Sequence, residues 1–155
     1  MHLKERMLMN QADLAGEFTG HFFFKENKFS QDDAIFAMLK ILQIASKSQK
    51  HLSELFDDLP DKISTPEILI AVQPGQLEGI MNKLSVQKDE LGNMGIINLD
   101  GIRVEYEDGW GLVRASHTVN ALSLRFEADD HAALQRIAER FKEFVLSVVF
   151  VKFPV

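Results

Sequence analysis

An arginine, two hydroxyls and an imidazole fall within residues 114–118 of the stretch Gly109-Trp110-Gly111-Leu112-Val113-Arg114-Ala115-Ser116-His117-Thr118-Val119-Asn120. The stretch reads as strand, short polar loop, strand, because apolar runs flank it and residues 121–128 continue as a strand. Such a loop can seat an anion. Arg114 offers a planar cation, and Ser116, Thr118 and the loop amides add donors, the set that a phosphate monoester dianion requires. The same residues also suit an ordinary hairpin loop whose polar side chains face water, and the loop alone does not separate the two readings.

A second constellation is Gly16-Glu17-Phe18-Thr19-Gly20-His21. Glu17, Thr19 and His21 alternate, so on an extended segment they point the same way. Carboxylate, hydroxyl and imidazole could then grip vicinal hydroxyls of a sugar, and His21 could shuttle a proton near neutral pH. A surface turn followed by a histidine packed at the start of a phenylalanine strand accounts for the residues equally well.

Other chemistries find little support. His2, His21, His51, His117 and His131 are dispersed, with no pair at ligand spacing on one predicted helix. The chain has no cysteine, hence no disulfide framework, thiolate nucleophile or cysteine-based zinc site. Asp32-Asp33, Asp57-Asp58 and Asp129-Asp130 read as helix-end acids. Trp110 and Phe22-Phe23-Phe24 are expected in the core. No Gly-x-Ser-x-Gly elbow, Walker loop or dinucleotide fingerprint occurs.

The elements that must hold these residues follow from composition and periodicity. With 155 residues, 46% hydrophobic and 26% charged, the chain is an ordinary globular one with room for a domain and part of another. Seventeen basic against 23 acidic residues give a net charge of −6 without a dense basic cluster, which argues against nucleic acid as a partner. The charged N-terminus lacks an apolar core, so no signal peptide is expected. The run Val148-Val149-Phe150-Val151 is far too short to span a membrane, and a cytoplasmic location is the default.

Residues 1–10 read as the tail of a helix, residues 13–17 as a strand entering a turn, and residues 21–24 as a strand covered on both faces. Ser30 is positioned to cap a helix over about residues 32–46. Its Ile35, Phe36, Met38, Leu39, Ile41, Leu42 and Ile44 leave only a thin polar stripe. A further helix is expected over about 49–59, stopped by Pro60. This half carries too few strands for so apolar a helix, so it reads as an α/β fragment of an incomplete domain whose surface is buried by self-association.

A polar hinge at about 59–66 divides residues 1–60 from 61–155. Beyond it come a strand at 67–72 and a helix opened by Pro74 in its first turn. Strands flanking Asp100-Gly101 and Asp108-Gly109 turns follow, then an alternating strand at 121–128, then a helix capped by Asp129 or Asp130. The predicted class is α+β, with an antiparallel C-terminal sheet carrying two helices on one face.

The two constellations, taken in order and spacing, resemble one known family. Gly16-Glu17-Phe18-Thr19-Gly20-His21 is similar to the Gly-Glu-Met-Ser-Gly-His sugar-binding loop of the phosphomannomutase/phosphoglucomutase branch of the α-D-phosphohexomutases. Asp100-Gly101-Ile102-Arg103-Val104, the Arg114-Ala115-Ser116-His117-Thr118 loop and Leu124-Arg125-Phe126-Glu127-Ala128 resemble that branch's last domain with its Arg-Ala-Ser-Asn-Thr loop. The resemblance spans essentially the whole chain and implies the end of the third and all of the fourth domain of a four-domain isomerase. Such enzymes move a phosphoryl group between the 1- and 6-positions of mannose or glucose phosphate through a phosphoserine with Mg²⁺ beside it.

By that resemblance Glu17 and Thr19 bind sugar hydroxyls and His21 lies near the reacting centre. Arg114, Ser116, His117 and Thr118 hold the phosphate that is not transferred. Thr19 replaces the usual serine, His117 the usual asparagine and Val119 a frequent proline, so the loop is expected to be less rigid. Neither a phosphoserine loop nor an Asp-Gly-Asp-Gly-Asp metal loop occurs here. The chain is therefore expected to be a C-terminal fragment, silent by itself, with Mg²⁺ bound outside it. The alternative is a non-catalytic interaction module that keeps only the fold.

Overall fold

Residues 2–17, 19–26, 32–92 and 95–149 are described by a computed structural model of the chain. They fall into two compact units, Met1–Leu59 and Pro60–Val155.

In the first unit, helix α1 (His2–Met9) leads to a two-stranded antiparallel hairpin of β1 (Leu14–Gly16) and β2 (Phe22–Phe24). Helix α2 (Ala34–Lys47) follows. The phenylalanine strand is half-buried rather than covered on both faces, since a two-stranded ribbon offers one packing partner. Phe24 meets Phe36 of α2 edge-on, with ring centroids 5.1 Å apart. Ser30 and Phe18 lie outside the described residues. The cap of α2 comes instead from Asp33, whose carboxylate accepts from Phe36 N–H at 2.9 Å.

The helix expected over about 49–59 shrinks to a single 3₁₀ segment, Leu52–Phe56. Leu52, Phe56 and Leu59 are exposed, so no packing extends it.

The second unit is an antiparallel sheet with two helices on one face, the α+β arrangement the pattern implies. Its elements are β3 (Ile63–Ser64), β4 (Ile68–Ala71), α3 (Leu77–Gln87), β5 (Gly95–Ile97), β6 (Ile102–Tyr106), β7 (Gly109–Ala115), β8 (Ala121–Ala128) and α4 (His131–Leu146). Across the sheet β5, β6, β7 and β8 are neighbours in that order, and β3 and β4 both pair with the far edge of β8.

Strand β8 is central because its Leu122, Leu124, Phe126 and Ala128, all fully buried, meet both neighbours and the helices. Ile137, Phe141, Phe144 and Val145 of α4 and Ile80 and Leu84 of α3 close that face. Burying one such large side chain contributes roughly 1.5–3 kcal/mol. Asp130 caps α4, accepting from Ala133 N–H at 2.8 Å.

The structure adds detail to the pattern at the hinge and departs from it at two turns. The polar hinge contains a strand, β3, and between it and β4 residues 65–67 stand opposite only two residues of β8. That extra residue is a bulge, and Pro66, which has no N–H to donate, sits within it. Thr65 restores the pairing by accepting Phe126 N–H on its hydroxyl at 3.1 Å. Helix α3 begins at Leu77, after a turn in which Gly75 takes φ +80°, so Pro74 precedes the helix rather than opening it. The second hairpin turns at Glu107-Asp108. Gly109 is already in β7, where a side chain would collide with Glu127 and Ala128 of β8.

Candidate functional site

The face of the sheet away from the helices carries the polar residues, because the pleat sends alternate positions of β6, β7 and β8 to it. Trp110 lies there, not in the core. Its ring stacks under the Arg103 guanidinium at 4.0 Å, and its N–H donates to Glu127 at 3.2 Å. Arg114 belongs to the same face and pairs in register with Ser123 of β8.

The Arg114 guanidinium lies between two carboxylates. Asp100 Oδ2 is 3.6 Å from Nη1, and Glu67 Oε1 is 3.8 Å from Nη2. Each acid arrives there for a local reason. Gly101 has φ +124°, and a Cβ on it would stand 2.5 Å from Val113 O and 2.6 Å from Arg114 Cβ. Glycine therefore lets the turn after β5 press against β7 and bring Asp100 alongside Arg114. Glu67 ends the bulge before β4, and Ser123 Oγ–H donates to it at 2.5 Å.

The loop joining β7 to β8 is closed by Ser116 N–H donating to Ala121 O at 2.9 Å. Within it the Ser116 and Thr118 hydroxyls are 3.4 Å apart, and Ser116 Oγ also accepts from Thr118 N–H at 3.4 Å. His117 is exposed and its Nε2–H reaches Asp100 at 3.3 Å. Arg114 and His117 are thus linked through Asp100, while Ser116 and Thr118 are linked to each other. This arrangement supplies cationic, hydroxyl and amide donors on one rim of the sheet, suited to an anion.

In the first unit Glu17, Thr19 and His21 do not lie on an extended strand. They occupy the turn of the β1–β2 hairpin, where Glu17 N–H donates to His21 O at 2.9 Å and Gly20, at φ +84°, donates its N–H to Glu17 O at 3.0 Å. The tight turn still gathers them. Thr19 Oγ1 donates to Glu17 at 3.4 Å, and Glu17 acts electrostatically on His21.

His21 Nδ1–H also hydrogen-bonds Asp32, which the sequence suggests only as a helix-end acid. That hydrogen bond, then the Asp32 charge and that of Glu17, hold the imidazole above its ordinary pKa of 6.5. Asp32, Glu67, Asp100 and Ser123 carry no sequence signal as site residues, since only the folded chain brings them to their partners.

Among the described residues no three His, Asp or Glu side chains assemble as a metal-ligand set, so the donors gathered here fit anions and hydroxyls better than Mg²⁺. No described helix is long and apolar enough to cross a membrane.

Comparison with known proteins gives a consistent assignment. Residues 1–63 match the family described as phosphoglucomutase/phosphomannomutase, alpha/beta/alpha domain III, and residues 67–144 match phosphoglucomutase/phosphomannomutase, C-terminal domain. A phosphoglucomutase of Neisseria gonorrhoeae is 44% identical over 146 residues, covering 94% of this chain and 32% of that protein. A phosphomannomutase/phosphoglucomutase of Pseudomonas aeruginosa is 44% identical over 147 residues, with coverages of 94% and 31%. The crystal structure of a phosphoglucomutase/phosphomannomutase family protein from Burkholderia thailandensis superposes with a TM-score of 0.84 at 33% identity, covering 98% of this chain and 32% of that one. The chain thus spans about a third of the length of the curated relatives it matches.

Proposed function

The chain belongs to the phosphoglucomutase/phosphomannomutase family, matching its third and C-terminal domains, and from that membership we propose that it is the sugar- and phosphate-recognition part of a phosphohexomutase. The full enzyme interconverts hexose 1-phosphate and hexose 6-phosphate, with mannose or glucose as the sugar. In this reading the first domain portion ends near residue 60 and the phosphate-binding domain occupies 61–155.

Arg114 carries the charge that holds the phosphate which is not transferred, with Ser116, Thr118 and His117 donating hydrogen bonds around it. Glu17 and Thr19 bind sugar hydroxyls, and His21, its pKa raised by Asp32, stands near the reacting centre. Phosphoryl transfer depends heavily on positioning and charge stabilisation, and binding and orienting are what these residues can do. Mg²⁺ in the full enzyme supplies charge stabilisation to the transferred group, and this chain contributes no ligand set to it among the described residues.

The observation that carries the reading is the grouping of Arg114, Ser116, His117 and Thr118 on one rim. Calorimetric titration with glucose 6-phosphate or mannose 6-phosphate tests it. Arg114→Ala is expected to weaken binding by about 10–100-fold, the worth of a charged hydrogen-bonding pair. Equal heats from wild type and variant would remove the phosphate seat from this loop.

A further inference from the structure

Resting on the phosphate reading of the Arg114 loop, we infer that the two carboxylates beside Arg114 have opposite roles. Glu67 is a positioning residue that orients the guanidinium, and Asp100 is an internal anion that competes with phosphate for it.

Glu67 is fixed from beneath. Its carboxylate accepts the Ser123 hydroxyl at 2.5 Å, and Ser123, only 4% exposed, sits directly across from Arg114 in the register of β7 and β8. Burial leaves that hydroxyl little water to bond instead, so the pairing is retained when a ligand arrives. The bulge at residues 65–67 serves the same end. Ile63 pairs with Ala128 and Ile68 with Leu124, both core positions, although the two isoleucines are an odd five positions apart. A regular strand would turn one of the two isoleucines outward. The extra residue absorbs the mismatch and leaves Glu67 in reach of Ser123.

Asp100 has no such anchor. It stands 3.6 Å from Arg114 Nη1, against 3.8 Å from Glu67 to Nη2, and is as exposed as Glu67, but its other partner is the exposed His117 Nε2 at 3.3 Å in place of a buried hydroxyl. Two carboxylates around one guanidinium leave the seat without surplus positive charge. An incoming dianion must displace one of them, and the acid without a buried hydroxyl partner is the one that can leave. Its departure frees Nη1 of Arg114 and the imidazole N–H of His117 together. His117, where asparagine is usual in the family, is the residue that gives Asp100 a second partner on the loop.

Simple electrostatics expects the removal of either acid to strengthen phosphate binding. Unequal roles require opposite signs. Inorganic phosphate is titrated into the 155-residue chain, following the amide resonances of residues 114–118 and the Nε–Hε resonance of Arg114. Asp100→Asn is expected to tighten binding by about threefold to fivefold, the effect of removing one charge through a watery dielectric. Glu67→Gln is expected to weaken it by a similar factor and to broaden the Arg114 Nε–Hε resonance, which Asp100→Asn leaves sharp.

Both variants shifting affinity in one direction, or an Arg114 resonance indifferent to Glu67→Gln, would overturn the inference. Arg114→Ala separates this from the underlying reading. If that variant still binds phosphate at the loop, the phosphate seat itself is wrong. If it does not, the seat stands whichever way the two acid variants go.

Discussion

His21 and Asp32 show how a single pairing sets the chemistry of a residue. The hydrogen bond to Asp32 raises the imidazole pKa above 6.5, so the folded chain binds a proton that the unfolded chain releases first. The stabilisation is fully present below pH 6.5 and is lost as pH rises through the raised folded value. Asp32→Asn is therefore expected to lower the His21 midpoint and to remove this share of the pH dependence of unfolding. A pH titration of the His21 ring resonances checks it; an unchanged midpoint in the variant would contradict the pairing. Glu17, Thr19 and His21 are close in sequence and meet through a tight turn, not through the extended alternation their spacing suggests, and Asp32 carries no such signal. Eleven positions separate it from His21, and no periodicity dictates that the chain returns there.

At the scale of elements, the alternation along β8 and the stripe on α4 are read directly from sequence because both faces have sharply different environments. Phe141 of α4 meets Phe126 of β8 edge-on, with centroids 5.4 Å apart, and both are fully buried. Phe141→Ala is expected to cost about 3–5 kcal/mol in chemical denaturation, since the cavity cannot collapse against a rigid sheet. A loss under 1 kcal/mol would show that α4 repacks freely. Illegible elements are those decided by contacts far along the chain. Strand β3 is two residues long and exists because β8 offers it an edge. The 3₁₀ segment Leu52–Phe56 stops short because its apolar residues find no surface. Trp110 leaves the core because Gly111, its neighbour in β7, faces Phe141, and the pleat sends Trp110 to the opposite face.

At the scale of the molecule, the two units differ in how well they cover their apolar surface. The second packs most of its described large apolar side chains into one core, leaving Leu69, Val86, Ile97, Leu99 and Val119 exposed, while α2 of the first alone leaves Ile35, Met38, Leu39, Ile41, Leu42 and Ile44 exposed. Apolar surface on that scale favours association. Sedimentation velocity is expected to show mass rising with concentration, and a clean monomer at high concentration would contradict it. The fold class and the two candidate loops are thus legible from sequence, while the acids that surround Arg114 require the folded sheet.

Amide-resolved NMR decides whether Arg114 and residues 116–118 form a phosphate seat. Phosphate added to the wild-type chain is expected to shift the resonances of residues 114–118 saturably, and the same additions to Arg114→Ala to leave them in place. Shifts that persist in the variant, or that never appear at this loop in the wild type, would show that phosphate is not seated on Arg114.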